Sequence, residues 1–342
     1  MKKLTNLFVS SLTLLPAIAL ADHTTIGLQS SVTGPSTTSS ANLMEAGQSG
    51  ITLQFQQVDF KSISEADFAH ASEHDEGLHG TDSINSRGFT FTYGLTERLT
   101  LGFSIADIRR SGLVEAAHHH EDEHEAELEE QFDGHHDEEE EEIIERLGSA
   151  GGIGDARLYA NYQLFSSGSR SASMLFGIKA PTGESDEKSR DGHRLETEFQ
   201  PGSDSWDPLL GIAFSQQFNN WTLNSNLLYS FTTEGAQDTD LGDVFNYNFA
   251  LSHALPQFGP LEGSSWKVNF SLELNGEWRD KVEIAGATET NSGGSITYLA
   301  PGFSFNNDRI YINASVGKAL ENLNGIQSEP DTRFIVDFGW AL

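Results

Sequence analysis

Apolar and polar positions alternate with period two along much of the chain. Phe89, Phe91, Tyr93 and Leu95 alternate with Thr90, Thr92 and Gly94; Leu99, Leu101, Phe103 and Ile105 alternate with Thr100, Gly102, Ser104 and Ala106. Phe245, Tyr247, Phe249 and Leu251 repeat the pattern, as do Trp266, Val268, Phe270, Leu272 and Leu274. Successive side chains of a strand point to opposite faces, so each run predicts a strand with one apolar face and one small or polar face. Runs of ~10 residues exceed the ~5–6 common in soluble sheets. They match the ~9–11 that a tilted strand needs to cross a bilayer. Strands are predicted near 51–60, 88–95, 98–108, 155–165, 173–181, 206–217, 220–232, 244–255, 265–278, 295–305, 309–317 and 333–342. The first is the weakest, because alternation slips at Gln57–Val58, and the tenth contains Pro301. Ten or fourteen strands therefore stay open beside twelve.

The connections carry a second pattern. Thr96-Glu97-Arg98, Asn219-Asn220 and Asn306-Asn307-Asp308 have the chemistry of tight turns. Segments 61–87, 109–154, 182–205, 233–243, 279–294 and 318–332 are long and polar. Alternating short and long connections predict an all-β, antiparallel up-and-down transmembrane barrel with short periplasmic turns and long extracellular loops. An even strand count puts both termini on the periplasmic side of the bacterial outer membrane. Arg333 to Leu342 ends the chain with Phe334, Val336, Phe338, Trp340 and Leu342 on one face.

Residues 1–21 predict a signal peptide: Lys2 and Lys3, an apolar run from Leu7 to Leu20, and Ala19-Leu20-Ala21 as the cleavage site. Residues 22–46, rich in Ser, Thr and Gly, form a flexible N-terminal segment, either a periplasmic tail or a lumen plug. The barrel follows over 47–342.

Composition narrows the function. There is no cysteine, and the formal net charge of −31 argues against nucleic-acid binding, whose phosphates would be repelled. Catalysis finds little support. Ser252 and His253 are adjacent on a strand and face opposite ways, so they form no nucleophile–base pair. The glycines of Gly148 to Gly154 are followed by no Lys-Ser/Thr and make no phosphate loop. We expect no enzyme and no required cofactor.

The opposite parity names the lumen. Arg157, Lys179, Glu273, Glu277, Arg333 and Asp337 fall on inward positions. Glu273 and Asp337 set against the basic residues read as a selectivity constriction; the plainer reading is paired charges that fill the barrel.

Segment 113–147 is an acidic, histidine-rich insertion, expected to be disordered because like charges repel and little of it can be buried. It holds His118, His119, His120, His124, His135 and His136, and the first long loop adds His70, His74 and His79. Imidazole with carboxylate suits weakly bound Zn, Cu or Ni, although the tract shows density rather than ligand spacing. The plainer reading is a solvated acidic loop. Because a ligating imidazole must be neutral, metal capture is expected to fade in mild acid.

Several runs at loop–strand junctions carry a resemblance. These are Gly152-Ile153-Gly154-Asp155, Gly177-Ile178-Lys179-Ala180-Pro181-Thr182-Gly183 and Phe199-Gln200-Pro201-Gly202-Ser203-Asp204-Ser205-Trp206-Asp207, with Thr233-Glu234-Gly235 through Asp243, Asn291-Ser292-Gly293-Gly294 and Asn324 to Asp331. Over about 50–342 the chain resembles the family of outer-membrane transporters named for the meta-pathway of phenol degradation, including members with histidine-rich loops. The resemblance implies an outer-membrane barrel with a transport role; it brings no substrate and no catalytic residue. Expected partners are outer-membrane lipid, the machinery that assembles barrels, and a small solute or metal ion. Two functions follow: a channel for small solutes with metal-capturing loops, or a non-conducting surface barrel acting as a metal buffer or adhesive module.

Overall fold

The computed structural model describes residues 28, 31, 34–73, 78–116, 143–255, 266–290, 292–307, 309–320 and 328–342. Twelve antiparallel strands make the wall: β1 Ser49–Phe60, β2 Ser83–Thr96, β3 Leu99–Ala116, β4 in two pieces (Ile144–Ile153 and Ala156–Ser167), β5 Arg170–Ala180 and β6 Asp207–Phe218. The remainder are β7 Trp221–Ser230, β8 Val244–Ala254, β9 Lys267–Arg279, β10 Gly294–Asn306, β11 Ile310–Ala319 and β12 Pro330–Ala341. Each pairs with its sequence neighbours, and β1 pairs with β12 from Gly50↔Ala341 to Asp59↔Thr332, which closes the ring. Closure leaves no open sheet edge in the bilayer, where unpaired backbone groups are costly.

The alternation works as predicted. Phe55, Phe91, Leu101, Leu158, Phe176, Leu272 and Phe303 project outward and are exposed, to lipid in a membrane barrel. Thr52, Gln54, Thr100, Asn161, Ser215, Asn224, Asn248, Glu273 and Asn313 are buried inside. At Gln57–Val58 the register runs through unbroken; Gln57 turns outward and Val58 is buried. Pro301 sits on the outer face opposite Leu272. The ladder to β11 pauses between Leu299↔Lys318 and Gly302↔Ser315, where proline has no N–H to donate.

The wall is taller than expected at the long-loop end. β3 has 18 residues, about 60 Å of strand at ~3.3 Å per residue, well beyond a hydrocarbon core of ~30 Å. Its upper part forms a collar with Ile144–Ile153, which pairs with β3 alone. This corrects the insertion boundaries: Leu113, Leu147 and Ala150 are buried with Leu195 and Phe199, so 113–116 and 144–147 are strand, drawn in by an apolar cluster. The free edge of Ile144–Ile153 is occupied by the β5–β6 loop. Glu184 N–H donates to Ile153 O at 2.8 Å and Arg190 N–H to Leu147 O at 2.9 Å. The first long loop also contains a helix the periodicity did not announce, α1 Glu65–Glu73. Ser64 Oγ caps it by accepting from Asp67 N–H at 3.2 Å, and Phe68 and Ala71 pack on Leu78 and Ala116.

Candidate functional site: a filled lumen and its long-loop mouth

Of the N-terminal segment, Leu28 and residues 34–44 lie inside the barrel, where a plug would sit. Its backbone supplies most of the attachment. The N–H groups of Ser36, Thr37 and Thr38 converge on the Glu273 carboxylate at 2.9, 3.2 and 3.0 Å, and the Thr38 hydroxyl adds a bond of 2.9 Å. Ser39 N–H donates to Asn226 Oδ1 at 2.9 Å, Ala41 N–H to Ser215 Oγ at 2.9 Å, and Met44 N–H to Thr100 Oγ1 at 3.0 Å. Gln54 Nε2 reaches Ser36 O at 3.3 Å, Gln163 Nε2 reaches Ala41 O at 3.3 Å, and Asn313 donates to Ser36 Oγ. Leu28 packs among Tyr159, Leu175, Leu209 and Leu228. The segment leaves the lumen at the short-turn end, where Gly47 N–H donates to Gly94 O at 2.8 Å before β1 begins. Gly94 is required there, because a Cβ would stand 2.1 Å from Glu45 O.

The Ser36–Ala41 knot separates two cavities. A cavity of ≈ 170 Å³ on the short-turn side is lined by Ser252, Asn269, Ser271, Tyr311 and Asn313. One of ≈ 80 Å³ on the mouth side is lined by Leu28, Arg157, Lys179, Asp207 and Arg279 among others.

All six predicted lumen residues face inward, but the expected constriction of Glu273 and Asp337 against basic side chains does not form. Backbone amides of the plug occupy Glu273, while Asp337 accepts from Gln54 at 2.8 Å and Asn313 at 3.4 Å. The basic residues sit nearer the mouth. Arg333 donates to Asn275 Oδ1 at 2.7 Å and lies 4.2 Å over the Tyr298 ring. Arg279 pairs with Glu277 at 3.1 Å. Lys179 bonds to Asp207 and Ser203, to Ser205 at 3.1 Å, and lies 3.5 Å from Asp155.

That lysine stands where three of the resemblance-bearing runs converge. Asp155, between the two pieces of β4, accepts N–H bonds from Thr182 at 3.1 Å, Gly183 at 2.9 Å and Ser203 at 2.9 Å. Gly183 and Gly202 pack backbone to backbone, so that a Cβ on either would come within 2.6 Å of the other. Asp155, Ser203, Ser205 and Asp207 are site residues that parity could not find; their signal was membership of the quoted runs.

Above the lumen, among the described residues, His79 is the predicted metal candidate that the structure groups closely with carboxylates. His118, His119, His120, His124, His135, His136 and His74 lie outside the described residues, and His70 is exposed on α1. His79 Nδ1 is 2.7 Å from Glu198 Oε1; its Nε2 is 3.7 Å from Glu115 and 3.8 Å from Glu196. Phe199 packs edge-on at 5.2 Å. Burial alone would lower the His79 pKa, but the charge and hydrogen bond of Glu198, with Glu196 and Glu115, outweigh it and raise the value to about 9. Glu196 is raised by burial and by the like charges of Glu198, Glu115 and Glu289, against the pull of His79. Burial works against ionised Glu198 as well, yet His79 and then Arg110 hold it below the usual range.

Closed wall, outward apolar belt and polar filled interior define a transmembrane β-barrel of the bacterial outer-membrane type. The chain belongs to the family described as "Putative MetA-pathway of phenol degradation", whose model matches residues 125–324. Among solved structures it is similar to an outer-membrane channel from Pseudomonas putida F1, at 14% identity and a TM-score of 0.53, over 88% of this chain and 98% of that one. It also aligns with a toluene transporter from Ralstonia pickettii, at 10% identity and a TM-score of 0.38, over 90% and 92%. The first likeness is one of fold. No curated protein sequence matches the chain.

Proposed function

We propose that the protein is an outer-membrane channel for small solutes whose own N-terminal segment sets the width of the path. The short-turn end faces the periplasm and carries both termini; the long loops face outward and, through their histidines, draw divalent metal to the mouth. The observation that supports this reading is the division of a polar lumen into two cavities by a strand-free segment held largely through its backbone. Such a segment can shift without breaking the wall, because no strand pairing depends on it.

Swelling of liposomes containing the refolded mature chain tests the reading. Entry of small sugars or amino acids is the expected result. A native chain sealed to every solute, while a variant lacking 22–46 admits them, overturns the channel. That outcome establishes the second reading, a non-conducting surface barrel, which the density of bonds around Glu273 favours.

A further inference from the structure

The cluster around His79 is built differently from the histidine tract. Three donor atoms, one each from His79, Glu196 and Glu198, lie within 4.8 Å of one another. Glu115 stands 3.7 Å from the imidazole as a further carboxylate. The side chains of His79, Glu198 and Glu115 are 17%, 14% and 18% exposed, while Glu196 at 52% leaves a way in from solvent. One carboxylate suffices to pair an imidazolium, and here three surround it. The neighbouring Arg110 gives Nη1 to the carbonyls of Phe199 and Gln200 at 3.3 and 3.2 Å, and its charge and that of Arg279 act on Glu198 from further off. A divalent ion placed among these donors uses both ligand types.

We propose that His79, Glu196 and Glu198, with Glu115 beside them, bind one divalent transition-metal ion of the zinc class at the collar. A zinc ion ~2.0–2.2 Å from each donor holds its ligands roughly 3.4 Å apart, a contraction that rotation of the three long glutamate side chains supplies. Mixed imidazole and carboxylate donors suit zinc over calcium or magnesium, and binding releases the imidazolium proton. The donors come from three places: Glu115 ends β3, His79 lies in the first long loop, and Glu196 and Glu198 belong to the β5–β6 loop. The ion therefore fastens two loops to the collar. This deepens the metal part of the proposed function and is independent of conduction: solute flux and zinc occupancy can each fail alone.

The test uses the refolded mature chain with 117–142 deleted, which removes six tract histidines, and Zn²⁺ titrated against a chromophoric chelator. One bound equivalent is expected. His79→Ala weakens it at least ~100-fold and Glu198→Gln by about 10–100-fold, while His70→Ala leaves it unchanged. Gel mobility with and without boiling verifies each barrel, and the isosteric Glu198→Gln serves if His79→Ala does not fold. No zinc in the deleted chain, or equal affinity in His79→Ala and Glu198→Gln, overturns the site.

Discussion

Between Leu99 and Ile105, β3 turns Leu101, Phe103 and Ile105 outward; a few residues further on, the same strand turns Arg109 and Ser111 outward and buries Arg110 and Leu113. The strand keeps one parity as far as Ser111; at Gly112 (φ 69°) the register shifts, and this brings Leu113 to the buried side. The medium outside changes as well. In the lower half the outer face meets lipid and only apolar side chains are tolerated, whereas in the collar it meets water and the apolar residues turn to meet loops. One strand thus shows that outward residues report the surrounding solvent and inward residues report what fills the interior.

The sharpest way to separate wall from filling is to remove the filling. Deleting 22–46 should leave the heat-modifiable barrel intact and raise single-channel conductance about tenfold or more, since a lumen of this strand number is otherwise open to water-sized passage; an unchanged conductance would mean the segment does not obstruct. The mouth junction comes next. Lys179→Met leaves Asp207, whose side chain is 5% exposed, without its cation, and breaking a buried pair costs about 3–5 kcal/mol. The boiling temperature needed to unfold the barrel should fall accordingly. The lipid band and the collar can be set against each other directly. Leu158→Arg on the lipid face should cost about 2–4 kcal/mol, while Ser111→Arg on the collar, exposed to water, should stay within ~0.5 kcal/mol; equal costs would erase the distinction. Inside the lumen the effect of a single methyl is expected to be intermediate. A Cβ at Gly102 would lie 2.2 Å from the Tyr159 ring, so Gly102→Ala should cost about 1–3 kcal/mol by overpacking, read from urea unfolding in detergent.

What was legible followed from side-chain parity. Most strands in the lipid band announced themselves through outward apolar residues at every second position, the first and tenth more weakly, and the inward placement of Lys179 and Glu273 came from the same count. Parity failed where the medium changed: Arg109-Arg110-Ser111 and Leu147-Gly148-Ser149 read as loop because neither face there is uniformly apolar. It was also blind to the plug. Ser36, Thr37 and Thr38 bind Glu273 through backbone N–H groups, which no side-chain pattern encodes. The His79 cluster was half visible, as a histidine near acids; its carboxylate partners lie 36, 117 and 119 positions away along the chain (115 − 79, 196 − 79 and 198 − 79). Only the fold of the collar brings them together.

The strand Ile144–Ile153 stands above the lipid-facing band with β3 on one side and, among the described residues, no strand on the other. An exposed strand edge is a template on which another copy can add itself. The β5–β6 loop meets this hazard by lending Glu184 and Arg190 as partners for Ile153 and Leu147. The β5–β6 loop therefore does a second job: shortening it would leave the carbonyls of Ile153 and Leu147 without these partners and bare a strand edge open to pairing.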